Sequence, residues 1–598
     1  MLLITTSDRR SWCLDEETPR TYLGKWCFGT QEPPPAVARF LPYHWDDRAK
    51  FKRDYAAITA AYESSLQALV DALNTFHGTS HGERYWRILL GPWLYVFVSI
   101  LFDRWEMVTR AAAEIDDPES CLLDDPEDEL IPRDLRGLNP DDSRWNHFIY
   151  ACAIRSHGGF RIRELPGNSL GVVPDSATVR PPRGAHEVVR SLARRLLNSL
   201  VRSSEAFFIA SYMPRNLLVA LQLQLGQFPK FWRSPRIPQV APDLATRRRL
   251  AGLMPLGDRK GFAAFLWQMI PRQVPTIYLE GRTALQAVVA ELPWPHRPSV
   301  IFTANAYQFD EVFQAWAASQ TERGTPLVIG QHGGFFGVGE IVAGEEHQVM
   351  IADRFLTWGW SDQRPSIYPF SMITTLGKGK VEWNRQGNLL LVTVPIRRVG
   401  FKCNSWPMGP QQSDAFLANQ LCFASCLNAS VRSSIVLRIH SAAEAKVGTG
   451  FVHAWSKTYP EVEIDPSTTP IEARIRAARL FVYTYNSTGY LETLARNIPT
   501  VVFWNPEHWE LRESTRPFFS LLEEAGIFHA DPAAAAAHVN AIWDDVAAWW
   551  HSDRVQAARK AFCEVYARNS PRPVRDFVRA LRFDPKSPPV GAGVRPSL

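Results

Sequence analysis

The stretch LFVYTYNSTGYLETLARNIPTVVFW, residues 480–504, decides how this chain is read. An apolar run rich in aromatic and β-branched residues, 480–485, meets the small polar turn Asn486-Ser487-Thr488-Gly489. A helical segment, 490–496, follows, and then a second buried strand, 500–504. A strand that runs into a polar turn and then a helix leaves backbone N–H groups free at the helix start, where an open α/β sheet can hold an anion. The same pattern also serves as plain architecture, its turn residues merely capping the helix.

Outward from this stretch the alternation continues. Upstream lie a strand at 389–395, a helix at 414–427, strands at 433–440 and 462–465, and a helix at 470–478. Downstream the pattern turns helical, at 510–525, 532–543 and 554–566. An earlier series has strands at 206–212, 299–303, 326–330 and 355–360, with helices at 215–225, 261–270 and 309–321. Strands alternating with helices of about ten residues or more predict α/β domains with parallel, doubly wound sheets. The polar stretch before residue 389 divides the series. The expected organisation is an N-terminal α/β domain with helical insertions over 1–375, a linker over 376–388, a second α/β domain over 389–583, and a disordered tail over 584–598.

The first two hundred residues depart from the alternation. A strand at 2–6 and another near 20–26 precede YHWDDR, residues 43–48, which opens a long helix reaching residue 76. Asp46 and Asp47 suit its N-terminus. HGTSH, residues 77–81, has two histidines four apart, but Gly78 breaks the helix and no third ligand stands nearby, so it is set aside as a metal site. A Trp-rich helix covers 83–110. Its most apolar part, 88–102, is too short to span a bilayer and reads as a buried helix. The acidic run DDPEDE, residues 124–129, is expected to be a solvated loop with no hydrophobic strand before it. Residues 158–184 read as a turn-rich insertion.

Composition narrows the function classes. At 598 residues with a net charge of +5, the chain lacks the dense basic blocks of a nucleic-acid binder. Mild basicity suits an anionic substrate or an acidic membrane surface. The eight cysteines form no Cys-x-x-Cys pair and no secretory leader is evident, so reduced cysteines in a cytoplasmic protein are expected.

Three features fall at the predicted C-terminal ends of strands, where α/β sheets bind ligands. Gln331-His332-Gly333-Gly334 offers an imidazole among glycines that let a backbone approach a ligand. Arg438 and His440 end a strand with two groups suited to an anion. Ser487 and Thr488 add hydroxyls to the helix start, with Glu492 one turn on to accept ribose hydroxyls. No phosphate loop, His-Glu-x-x-His motif or Gly-x-Ser-x-Gly elbow occurs.

Two α/β domains, a QHG loop late in the first, an R-x-H strand end and an S-T-x-x-x-E helix start followed by IPTVVF together resemble a GT-B glycosyltransferase. The trio is similar to bacterial enzymes that use cytidine nucleotides: Kdo transferases, sialyltransferases and teichoic-acid polymerases. His440 is followed here by Ser441 where those enzymes carry proline. Over residues 2–504, pieces such as LITTSDRRSW, YHWDDR, RYWRILLGPWL, LFDRW, YLEG, IGQHGGFFG and LTWGW resemble a family of surface-polysaccharide transferases from O-antigen gene regions.

The resemblance implies two Rossmann-like domains facing a cleft. It also implies transfer of a sugar from a nucleotide-activated, CMP-linked donor to a saccharide, lipid-linked or protein acceptor, at or near the inner face of the cytoplasmic membrane. The donor would lie on Gln331, Gly333, Gly334, Arg438, His440, Asn486, Ser487, Thr488, Gly489 and Glu492. Metal and cofactor are expected to be absent, because helix N-termini and basic side chains neutralise the leaving phosphate. An inverting reaction needs a base, for which His332, Asp8, Asp46 and Glu280 are the candidates. CDP-polyol phosphotransfer, nucleotide-sugar epimerisation and non-catalytic carbohydrate binding stand as alternatives.

Overall fold

Short runs of apolar residues, buried on both faces, make strands that pair in parallel, and the chain supplies three sets of them. The computed structural model describes residues 1–13, 18–28, 35, 37–168, 202–379, 381–396, 407–409, 412–441 and 449–583. The expected tail at 584–598 and most of the turn-rich insertion lie outside the described residues.

The first sheet holds β1 (Leu2–Ile4), β2 (Arg20–Tyr22), β3 (Arg39–Phe40), β4 (Glu119–Asp124) and β5 (Arg161–Pro166), in the order β3-β2-β1-β4-β5. The second holds β6 (Phe207–Ile209), β7 (Ile301–Thr303), β8 (Leu327–Gly330), β9 (Arg354–Thr357) and β10 (Ile367–Pro369), in sequential order. The third holds β11 (Asn388–Thr393), β12 (Ile435–Ile439), β13 (Glu463–Asp465), β14 (Ala478–Tyr483), β15 (Thr500–Phe503) and β16 (Phe528–His529), in the order β13-β12-β11-β14-β15-β16.

All these ladders are parallel, as the α/β class requires. The first and third sheets share the nucleotide-fold order 3-2-1-4-5. Each therefore has a point where the order reverses, between β1 and β4 and between β11 and β14, and there a crevice opens at the strands' C-terminal ends.

The region expected to be mainly helical thus carries a sheet of its own. β4 is the strand said to be missing before the acidic run: Ser120–Leu123 are buried and lead directly into Asp124 and Asp125. Two long helices complete this part. Arg48–His77 begins at Asp47, whose side chain accepts from the Lys50 amide, and ends at Gly78 in the left-handed conformation. Glu83–Glu114 is long and apolar enough to cross a bilayer, yet its most apolar window lies wholly inside the protein. Trp86 and Trp93 on it are core residues. A disulfide joins Cys13 to Cys121 on β4, which corrects the expectation that every cysteine is reduced.

Candidate functional site

The loop after β8 and the turn after β14 meet. Gly334 N–H donates to Thr488 Oγ1 at 3.0 Å. A Cβ on Gly334 would lie 2.6 Å from the backbone carbon and oxygen of Ser487, so the two segments touch through glycine. Beyond this contact the second and third sheets are pinned together. Gly339 bridges Leu511 and the Arg512 amide donates to Val338 O. Arg512 also pairs with the fully buried Glu345, which takes Arg364 and the Gly337 amide as well.

His332 stands at this junction with neutral chemistry. Its ring lies 6.0 Å from Tyr212 and Tyr307 and 5.3 Å from Phe336. Burial among these rings lowers its pKa to about 4; the polar neighbours Ala304 and Gln348 oppose the shift without cancelling it. Its Nδ1 is buried with no hydrogen-bond partner among the described residues. At neutral pH this imidazole is uncharged, so it can accept a proton or a hydrogen bond, not serve as a fixed cation. The adjoining strand ends are strained in the same place: Ala210 and Tyr212, after β6, have φ of 45° and 56°.

On the third sheet, the turn after β14 opens the helix Thr488–Ala495 at the reversal point. Ser487 is its N-cap in extended conformation, and its hydroxyl makes no cap bond. Asn486 is buried; its Oδ1 accepts from Tyr490 OH at 3.1 Å, while its Nδ2 has no partner among the described residues. Gly489 is required because a Cβ there would run into the Tyr483 ring. Glu492 is half-buried on the next turn, with no ion pair among the described residues. His440, exposed at the end of β12, has its ring 6.4 Å from Tyr485. An uncapped helix start and a buried amide donor without a partner among the described residues thus stand next to each other in the chain.

Other expected ligands have different roles. Arg438 is buried and donates from Nη1 to Asp465 at 2.6 Å and to Thr469 O at 2.8 Å. The register that pairs Arg438 with Asp465 across β12 and β13 makes this a cross-strand ion pair. Gln331 uses its amide to shape its own loop: Nε2 donates to Gly333 O and Phe336 O, and Oε1 accepts from Trp358 N and Trp360 Nε1. Gly333 has room for a side chain, its nearest neighbour being Phe336 at 3.7 Å. Arg438 and Gln331 are thus committed to partners within the protein.

The four base candidates separate in the same way. Glu280 is paired with Arg247 at 2.9 Å and accepts from the Asp243 amide. Asp8 caps the 3-10 turn Arg9–Trp12 and pairs with Arg10 at 2.6 Å. Asp46 sits where the YHWDDR segment meets the third sheet's loops, beside Gln412 and His508. Desolvation raises its pKa, opposed by the Tyr43 backbone and by His508. Around it Arg48 grips Glu510 at 2.7 Å and donates to Pro407 O. His332 and Asp46 are the candidates that remain without a saturating ion pair.

Sequence reasoning missed Tyr212, Glu345, Arg364, His508 and Arg512. Arg512 and Glu345 are 167 residues apart, so no local pattern marks that pair, whereas Arg364 reaches Glu345 across 19 residues. A histidine–carboxylate group of metal-binding shape, His44, Asp54 and Glu106, already surrounds a cation. The Lys50 ammonium contacts all three.

The fold and this junction define an α/β protein whose second and third parallel sheets meet through the loop after β8 and the turn after β14. The chain matches the profile of the LIC12162 family transferase over residues 1–581, and it belongs to that family. No curated protein matches it. Among solved structures, the rhamnosyltransferase SpnG complexed with spinosyn aglycone is similar at 14% identity and a TM-score of 0.29, covering 63% of this chain and 99% of that one. A likeness that distant does not bear on this chain's activity.

Proposed function

We propose that this transferase moves a sugar from a nucleotide-activated donor, CMP-linked, to an acceptor of bacterial surface-polysaccharide assembly. The observation that carries the reading is the Ser487–Thr488 helix start. It lies at the reversal point of a nucleotide-type sheet, with Ser487 making no cap bond and the adjacent Asn486 Nδ2 without a partner among the described residues. These groups suit a leaving phosphate, whose negative charge grows as its bond to the anomeric carbon breaks. Glu492 and His440 flank the place where ribose and base would lie.

His332 faces the donor from the second sheet. As a neutral imidazole it takes the acceptor hydroxyl's proton while that oxygen bonds to the anomeric carbon and the nucleotide departs with the bonding pair. Asp46 is the second candidate for that proton. No resident cofactor enters the scheme; the nucleotide sugar is a substrate. The acceptor is a saccharide, lipid-linked or protein-borne, reached at the cytoplasmic face of the membrane.

The test is nucleotide release by the full chain supplied with CMP-, UDP- and CDP-activated donors and a lipid-linked saccharide acceptor. Release of free nucleotide with a new glycosidic bond in the product is the expected result. A phosphodiester in the product would assign phosphotransfer instead. Failure to bind any nucleotide would remove the reading.

A further inference from the structure

Between Ala206 and Pro242 the chain carries no Asp or Glu, while Arg215, Lys230, Arg233 and Arg236 give it four cations. Lys230 is buried and neutralised by Glu205 at 2.5 Å. Three exposed guanidiniums remain, Arg215, Arg233 and Arg236, with no carboxylate partner among the described residues. The same segment holds every exposed aromatic side chain among the described residues: Tyr212 (50%), Phe228 (55%) and Phe231 (53%). Leu223, 59% exposed, adds a fourth apolar group.

These groups form one built surface. Arg215 and Leu223, eight apart on the helix Arg215–Gln224, share a face. The Arg215 guanidinium lies 6.0 Å from the Phe231 ring. Gln222 fastens the following loop to the helix, accepting from the Lys230 amide at 2.9 Å and donating to its carbonyl at 3.2 Å. Trp232 packs inward, 5.8 Å from Phe207, which turns its neighbours Phe231 and Arg233 outward. At the other end Tyr212 reaches the cleft, receiving a hydrogen bond from Asn305 Nδ2 at 3.0 Å and lying beside His332.

We infer that this face docks on an anionic lipid bilayer. Exposed aromatics on a segment without acidic residues of its own sit well at headgroup depth, and the arginines complement the negative surface potential. The Trp-rich helix Glu83–Glu114 cannot play this part, because its tryptophans are buried. A soluble surface has no reason to collect every exposed Phe, Tyr and Trp of the described residues on one segment without acids of its own. The position beside Tyr212 and His332 would deliver a lipid-linked acceptor to the cleft. That purpose rests on the proposed transfer reaction; the docking itself does not.

The experiment is co-sedimentation of the full chain, without donor or acceptor, with vesicles of phosphatidylcholine alone or of an equimolar mixture with phosphatidylglycerol. The wild type should pellet with the anionic vesicles at low salt and be released at high salt. The double variants Phe228→Ser/Phe231→Ser and Arg233→Gln/Arg236→Gln should each bind about tenfold more weakly or worse. Circular dichroism and nucleotide binding should match the wild type in both. A wild-type chain that stays in the supernatant, or variants that bind as well as wild type, would overturn the inference. So would a dimer, seen by analytical ultracentrifugation, that forms through this face in place of vesicle binding and is lost in Phe228→Ser/Phe231→Ser. Because vesicle binding is read without turnover, its failure is distinguishable from failure of the transfer assay.

Discussion

The first and third sheets share one strand order and differ in what fills the crevice that order creates. At the reversal between β1 and β4, Arg10 pairs with both Asp8 and Asp125, and Arg144 pairs with Asp125 and Glu129. Asp125 also takes the Asn168 amide, and its pKa is lowered to about 2 by Arg10, the Asn168 amide and Arg144, against desolvation, the largest influence on it. That crevice is closed by its own charges. At the reversal between β11 and β14, Ser487 makes no cap bond and Asn486 Nδ2 has no partner among the described residues. The same strand order thus recurs with side chains paired at the first reversal and, among the described residues, without such ion pairs at the second.

The contrast can be broken most decisively at His332. His332→Ala should lower turnover by about a thousandfold while leaving the circular dichroism spectrum and nucleotide affinity close to wild type. A loss below tenfold would move the proton-accepting role to Asp46, which Asp46→Asn would then confirm. In the closed crevice the change should appear in stability. Asp125→Asn removes the shared partner of two arginines and should cost about 2 kcal/mol in urea unfolding at pH 7, with the activity of the folded fraction intact. Asp125 contributes fully above its unfolded pKa of about 3.8, and the contribution disappears as pH falls toward 2, so the mutant and wild-type curves should converge in acid. Loss of activity without loss of stability would show that the first crevice also binds substrate.

Ser487→Ala should weaken nucleotide binding about tenfold, the value of one hydrogen bond to a charged group. Equal affinity in calorimetry would place the phosphate elsewhere.

The gentlest test concerns pH. His147, which accepts from the Leu123 amide beneath the first sheet, and His347, in the core beside Tyr95, are lowered by burial to about 4 and about 3. Unfolded histidines titrate near 6.5 and bind more protons below that pH than the folded ones do. Stability should therefore fall as pH drops from about 6.5 toward 4, by up to about 1.4 kcal/mol per pH unit for each such histidine. A urea midpoint that stays level from pH 7 to pH 5 would contradict their buried, neutral state.

The sequence exposed the α/β alternation readily because each strand is a local run of apolar residues, and the Ser487–Thr488 turn sits one residue past such a run. It also gave the long helices, whose apolar periodicity and Asp47 and Gly78 ends are local. The sheet order stayed hidden, since parallel pairing joins segments far apart, as Leu2 with Glu119 shows. β4 was overlooked because ESCLLD begins and ends in acids, although its interior is buried. The Cys13–Cys121 disulfide spans 108 residues and has no spacing signature. Arg438 looked like a free cation because its counter-ion, Asp465, arrives from the next strand. For the same reason Asp8 and Glu280 read as available carboxylates while their arginines were out of view.

The hydrogen bond from Gly334 to Thr488 carries one more implication. By accepting from the loop, the Thr488 oxygen is polarised so that its own O–H is a stronger donor. Under the proposed reading, the helix start that would hold the donor phosphate and the loop that carries His332 are therefore one hydrogen-bonded unit.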